Sequence, residues 1–132
     1  MTNPCKAILI NPFDQTVTEV EYNGDFHHIY ELIECDTYDV ARINENGDGI
    51  FVDDDGLFKQ DQMFFQHEDY PSPLAGRGLV LGCDEEGESV VPDTSLSEVI
   101  KKVKFVLPIR VDEEIIWIDK TIRTDNPYSG RT

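Results

Sequence analysis

"NENGDGIFVDDD", residues 44–55, reads either as a cation-binding loop between helices or as a turn between strands. As a calcium loop it would need a helix on each side, oxygen ligands at alternate early positions, a glycine at the sixth and a bidentate glutamate at the twelfth. Asn44, Asn46, Asp48 and Gly49 meet the first half of that pattern. The twelfth position, however, is Asp55, with a shorter side chain, and the first is a neutral asparagine. The flanks are also wrong for helices: "TYDVARI" (37–43) has no helical stripe, and "GIFV" (49–52) is β-branched and aromatic. Asn46-Gly47-Asp48-Gly49, in contrast, is built from residues that accept left-handed backbone. The expectation is a hairpin turn joining 37–43 to 49–53, with no metal.

Working outward, "KAILI" (6–10) and "TVTEVEY" (16–22) read as a first hairpin, with Thr18, Val20 and Tyr22 on one face and Glu19 and Glu21 on the other. Phe26, Ile29, Tyr30 and Ile33 then recur at helical spacing and predict a helix over 25–34. Residues 57–75 carry scattered apolar anchors and end at two prolines, which suggests an ordered loop with a turn of helix. Leu79–Cys83 and Ser89–Val91 form a further hairpin around Asp84–Gly87. A second helix is expected over 96–104, because Ser95 and Glu98 stand at capping-box spacing and Lys101, Lys102 and Lys104 crowd its C-terminal end. "KFVLPIRV" and "EIIWIDKTI" flank Asp112-Glu113 as a last hairpin, followed by a frayed tail over 124–132. The fold class is α+β, a single domain over 1–123 in which an antiparallel, hairpin-rich sheet packs against these two helices.

Charge sets limits on function. The chain of 132 residues carries 11 basic and 27 acidic side chains, a formal net charge of −16. Direct binding to nucleic acid or an anionic membrane is therefore not expected, since such affinity comes from counterions released to Lys and Arg. Residues 1–98 hold 22 of the acids and four of the bases, whereas residues 99–132 are net basic by two. Thirteen aromatic residues argue for a folded domain rather than an acidic tail. Three widely spaced cysteines, Cys5, Cys35 and Cys83, suit a reducing compartment, and no run is long enough to span a bilayer. A cytoplasmic protein, in the host cell, is the expectation.

Reactive constellations are sparse. His27 and His28 fall outside the apolar stripe of their helix and are expected at the surface. His67, Cys35 and Cys83 lack zinc-ligand spacing, and no G-x-S-x-G is present. "AGRGLVLG" misses the phosphate-loop glycine pattern and is followed by a strand. No catalytic residue, metal or cofactor is expected. Two binding surfaces remain: an acidic face of Asp53, Asp54, Asp55, Glu85 and Glu86 for a basic protein, and a cationic set of Arg77, Lys101, Lys102, Lys104, Arg110 and Arg123 for a nucleotide.

The series "YELIECDTYDVARIN", "GDGIFVDDDGLFK" and "PLAGRGLVLGCDEEG" resembles a family of small phage- and plasmid-borne domains of unknown function, often carried beside anti-restriction and other accessory genes. The resemblance runs over about residues 5–91 and leaves aside the segment from Pro92 onward. It rests on turn and packing residues, so it implies a mobile-element accessory role and no catalytic residue. The leading expectation is a non-enzymatic protein that binds and inhibits a basic host factor concerned with defence or DNA handling. A nucleotide-sequestering protein is the alternative, and a metal-dependent hydrolase using Asp53–Asp55 the third. A homo-oligomer is compatible with all three.

Overall fold

β1 (Cys5–Asn11) and β2 (Thr16–Tyr22) form the first hairpin, and α1 (His27–Ile33) follows it. β3 (Tyr38–Arg42) and β4 (Gly49–Asp53) form the second hairpin, which settles the reading of residues 44–55. The computed structural model describes residues 4–122; Arg123 and the tail expected over 124–132 lie outside them. After one 3-10 turn at Gly56–Phe58 come β5 (Phe64–His67), β6 (Leu74–Ala75), β7 (Gly78–Cys83) and β8 (Ser89–Val90). α2 (Leu96–Lys102) leads directly into a long hairpin of β9 (Val103–Val111) and β10 (Glu114–Asp119).

The class is α+β, as the periodicities require, but the strands divide between two sheets. The first runs β2-β1-β7-β4-β3 with β8 added at the far end of β7, and the second runs β10-β9-β5-β6. Every pairing among the described residues is antiparallel. The first sheet is the middle layer. Ile8, Val80, Ile50 and Ala41 form one cross-strand row and pack with Phe65, Val103 and Phe105 of the second sheet and Val99 of α2. The opposite face, with Ala7, Tyr22, Leu79 and Leu81, packs with Ile29 and Ile33 of α1. Burial on both faces explains why β7 reads as the near-continuous apolar run Gly-Leu-Val-Leu-Gly-Cys.

Several boundaries differ from the sequence expectation for identifiable reasons. Residues 57–75 contain two strands, β5 and β6, because Phe65 is needed in the core between the sheets. α2 ends at Lys102, not 104, because Val103 turns extended and buries its side chain at the start of β9. Lys104 is therefore a strand residue. α1 begins at His27, and Phe26 at its N-cap stays 49% exposed, so only Ile29 and Ile33 of the expected stripe are buried. His28 is half-buried and stacks on Tyr22 rather than pointing into water.

The two sheets meet closely at Gly78. A Cβ built there would lie 2.6 Å from the Phe65 ring and 2.7 Å from Ile50, so this glycine is the space the Phe65 ring fills. Gly78→Ala is expected to destabilise by about 1–3 kcal/mol through overpacking. Ile29→Ala should cost about 2–4 kcal/mol by leaving a cavity under α1. Urea unfolding of both variants checks the two core layers separately.

Candidate functional site

In the turn between β3 and β4, Gly47 takes a φ of +102°, the left-handed conformation the Asn-Gly-Asp-Gly sequence suggested. Asp48 is buried, at 1% exposure, and its carboxylate is fully engaged by donors. Asp93 N–H donates to Oδ1 and Thr94 N–H to Oδ2, both at 2.8 Å, while Asn44 Nδ2 donates to Oδ2 at 3.0 Å. Asn44 Oδ1 in turn accepts from the N–H groups of Asn46 and Asp48. The Asn44 and Asp48 oxygens that resemble calcium ligands are thus aimed at N–H groups, and Asp48 holds the segment leading into α2. Immediately afterwards Ser95 and Glu98 close the expected capping box, which starts that helix.

The five acidic residues of the expected partner face do not lie together. Asp53 is a correction: it is a buried residue of β4, ion-paired with Lys59 and accepting the Asp55 N–H, and not part of an exposed turn. Asp54 and Asp55 are exposed just beyond it, while Glu85 and Glu86 occupy the β7–β8 turn. Val52 pairs with Gly78 and Gly49 with Leu81, so these two groups stand at opposite ends of the first sheet. The cationic set is also dispersed. Arg77 pairs with Glu34 of the α1 C-cap at 2.7 Å and Lys102 with Asp69 at 2.8 Å, and Lys101, Lys104 and Arg110 lie on α2 and β9. Arg123 is outside the described residues.

The structure instead shapes a cleft of about 550 Å3 that sequence reading missed. Tyr22, Phe26, Tyr38 and Phe51 line it, and Glu88 and Ser89 from the β7–β8 turn form a wall. The rings support one another: Tyr38 meets Phe51 edge-on at 5.1 Å between centroids and Tyr30 at 5.4 Å. Burial raises the phenols of Tyr22 and Tyr38 above their ordinary value. In the turn, Asp84 Oδ1 accepts the N–H groups of Glu86 and Glu88. Asp84 thereby fixes the turn; Glu85, Glu86 and Glu88 are exposed on it, and Glu88 borders the cleft. The signal lay in strand parity: Tyr22 and Phe51 share the α1-facing side of the first sheet, which composition alone does not show.

Cys35, His67 and Cys83 come from separate parts of the fold. Burial, reinforced by Asp53, pushes the Cys35 thiol up to about 11, which suppresses the thiolate at neutral pH. His67 sits in β5 of the second sheet and Cys83 at the end of β7, and no cluster of metal-ligating side chains occurs among the described residues. His67 is buried, its Nδ1 accepts the Asp69 N–H at 3.0 Å, and burial lowers its pKa below the ordinary 6.5.

A family model described as a domain of unknown function (DUF3846) matches residues 5–104, and the chain belongs to that family. The match extends past the expected limit at 91 to the end of α2 and the first residues of β9, which is consistent with Asp48 tying the 93–95 segment to the sheet. No curated protein and no solved structure matches the chain.

Asp48→Asn would turn a donor toward the donors of Asp93, Thr94 and Asn44, and is expected to cost about 1–3 kcal/mol. Its thermal melt checks this, and neither EDTA nor Ca2+ should move the wild-type midpoint. Because the folded state holds His67 neutral, the unfolded chain binds the extra proton, so stability should fall as pH drops below 6.5 toward the lower folded value. Urea titrations at pH 7 and 5.5 should show a smaller loss in His67→Gln than in the wild type.

Proposed function

We propose that this protein is a non-enzymatic accessory protein of phage or mobile-element origin that binds and inhibits a basic host protein, and that the aromatic cleft and the β7–β8 turn receive the partner. The supporting observation is that three exposed glutamates stand on the turn that walls a cleft of aromatic rings. A cationic side chain entering there would find π faces below it and carboxylates at the rim. Arg or Lys over an aromatic ring gains about 0.5–2 kcal/mol as it is desolvated. The acidic surface of the whole chain would speed encounter with a basic partner and disfavour anionic ones. The likeness to mobile-element accessory domains supports the host setting, with a defence or DNA-handling protein as the target class. The nucleotide-sequestering alternative is weaker, because its cations are spread over separate elements and two are spent in ion pairs.

Pull-downs from host lysate with paired variants test this reading. Glu85→Lys/Glu86→Lys should abolish capture of a basic protein at low salt, while Lys101→Glu/Lys104→Glu should leave it intact. Phe26→Ala should weaken the isolated complex about 2- to 30-fold. Retained capture by the acidic-turn variant, or a small nucleotide lost only from the lysine variant, overturns the proposal.

A further inference from the structure

The β9–β10 hairpin extends past the rest of its sheet. β5 pairs with β9 only over residues 103–106, whereas β10 pairs with it over 106–111. Beyond β5 the hairpin exposes aliphatic side chains on both faces, including Ile109, Ile115, Ile116 and Ile118 at 38–56%. It also falls almost wholly outside the segment that the family model covers.

Its two edges are unequal. Lys120 N–H donates to the Phe105 carbonyl, which sets the ladder's phase: Glu114, Ile116 and Ile118 turn their backbone groups toward β9, while those of Ile115 and Trp117 point outward. By the same alternation Pro108 stands on the outer side of β9, past the end of β5, where it removes an N–H and blocks strand addition. The β10 edge has no proline or lysine from 114 to 119. Past the end of β10 the Gln15 side chain bonds Lys120 O at 2.8 Å and Ile122 N at 2.7 Å. Among the described residues, the outward groups of Ile115 and Trp117 leave one short, apolar edge open.

We infer that two copies of this chain pair through that edge, antiparallel about a two-fold axis at Trp117. In this register Trp117 exchanges its outward N–H and C=O with Trp117 of the second copy, Ile116 faces Ile118, and Glu114 faces Lys120. Two symmetric opposite-charge pairs result. The neighbouring registers with the same ladder phase, centred on Ile116 or Ile118, set Glu114 against Ile118 or Ile122 and give up both Glu114–Lys120 pairs. Charge also favours a second copy at this place in particular. Residues 103–122 carry three cations and four carboxylates, nearly neutral in a chain of net charge −16, so self-association costs less repulsion here than over the acidic sheet. The indole of Trp117 is held for this role edge-on against Phe64, at 5.1 Å.

Sedimentation equilibrium of the wild-type chain and four variants tests the inference, with the emission of its single tryptophan as a second readout. The wild type is expected to be dimeric. Ile115→Pro, which removes only an outward N–H, should give a monomer with unchanged circular dichroism. Glu114→Lys and Lys120→Glu should each weaken the dimer about tenfold, and the two together in one chain should restore it. A monomeric wild type, a dimer indifferent to Ile115→Pro, or failure of the double charge exchange to recover the dimer overturns the inference.

Discussion

One buried carboxylate joins the parts of this fold. Asp48 sits under the turn of the β3–β4 hairpin and collects the N–H groups of residues 93 and 94, just before the N-cap of α2. A carboxylate is well suited to the task, since it is acceptor-only and can take several donors at once. The middle sheet, the entry to α2 and, through α2, the position of β9 and the second sheet all meet at this side chain. The loop is acidic because it is an anchor for amides, and its likeness to a cation site follows from the same oxygens serving the opposite partner.

That distinction explains how far the sequence could be read. The hairpin over 37–53 was legible because Asn-Gly-Asp-Gly and its β-rich flanks are local signals. The capping box of α2 was legible for the same reason. Asp48 looked like a turn residue because its partners are 45 and 46 residues away, and nothing local marks them. β5 was missed because its Phe-Phe-Gln-His is short and its pairing with β9 is non-local. Asp53 was misplaced because three consecutive aspartates read as one exposed cluster, whereas strand parity and Lys59 separate the first from the other two. The cleft was invisible for a related reason: its four rings come from three strands and the residue before α1.

Two-sided burial of the first sheet also governs where function can reside. With α1 over one face and the second sheet over the other, accessible surface is left mainly at strand ends, turns and the uncovered margin beside α1. The aromatic cleft occupies that margin, where α1 stops short of covering Tyr38, Val40 and Phe51. Rigid strands below and a turn fixed by Asp84 beside it give the cleft a floor and wall held by hydrogen bonds. Such a site meets a ligand with little ordering cost.

Gln15 has a mechanical meaning. Its amide accepts from one backbone N–H and donates to one backbone carbonyl of the chain leaving β10, much as a strand one residue long would. A pull on that end of β10 is therefore shared between two routes, one through the β9 ladder and one through Gln15 into the β1–β2 hairpin of the other sheet. The two sheets touch through side chains elsewhere; here they are spliced by a peptide-like link.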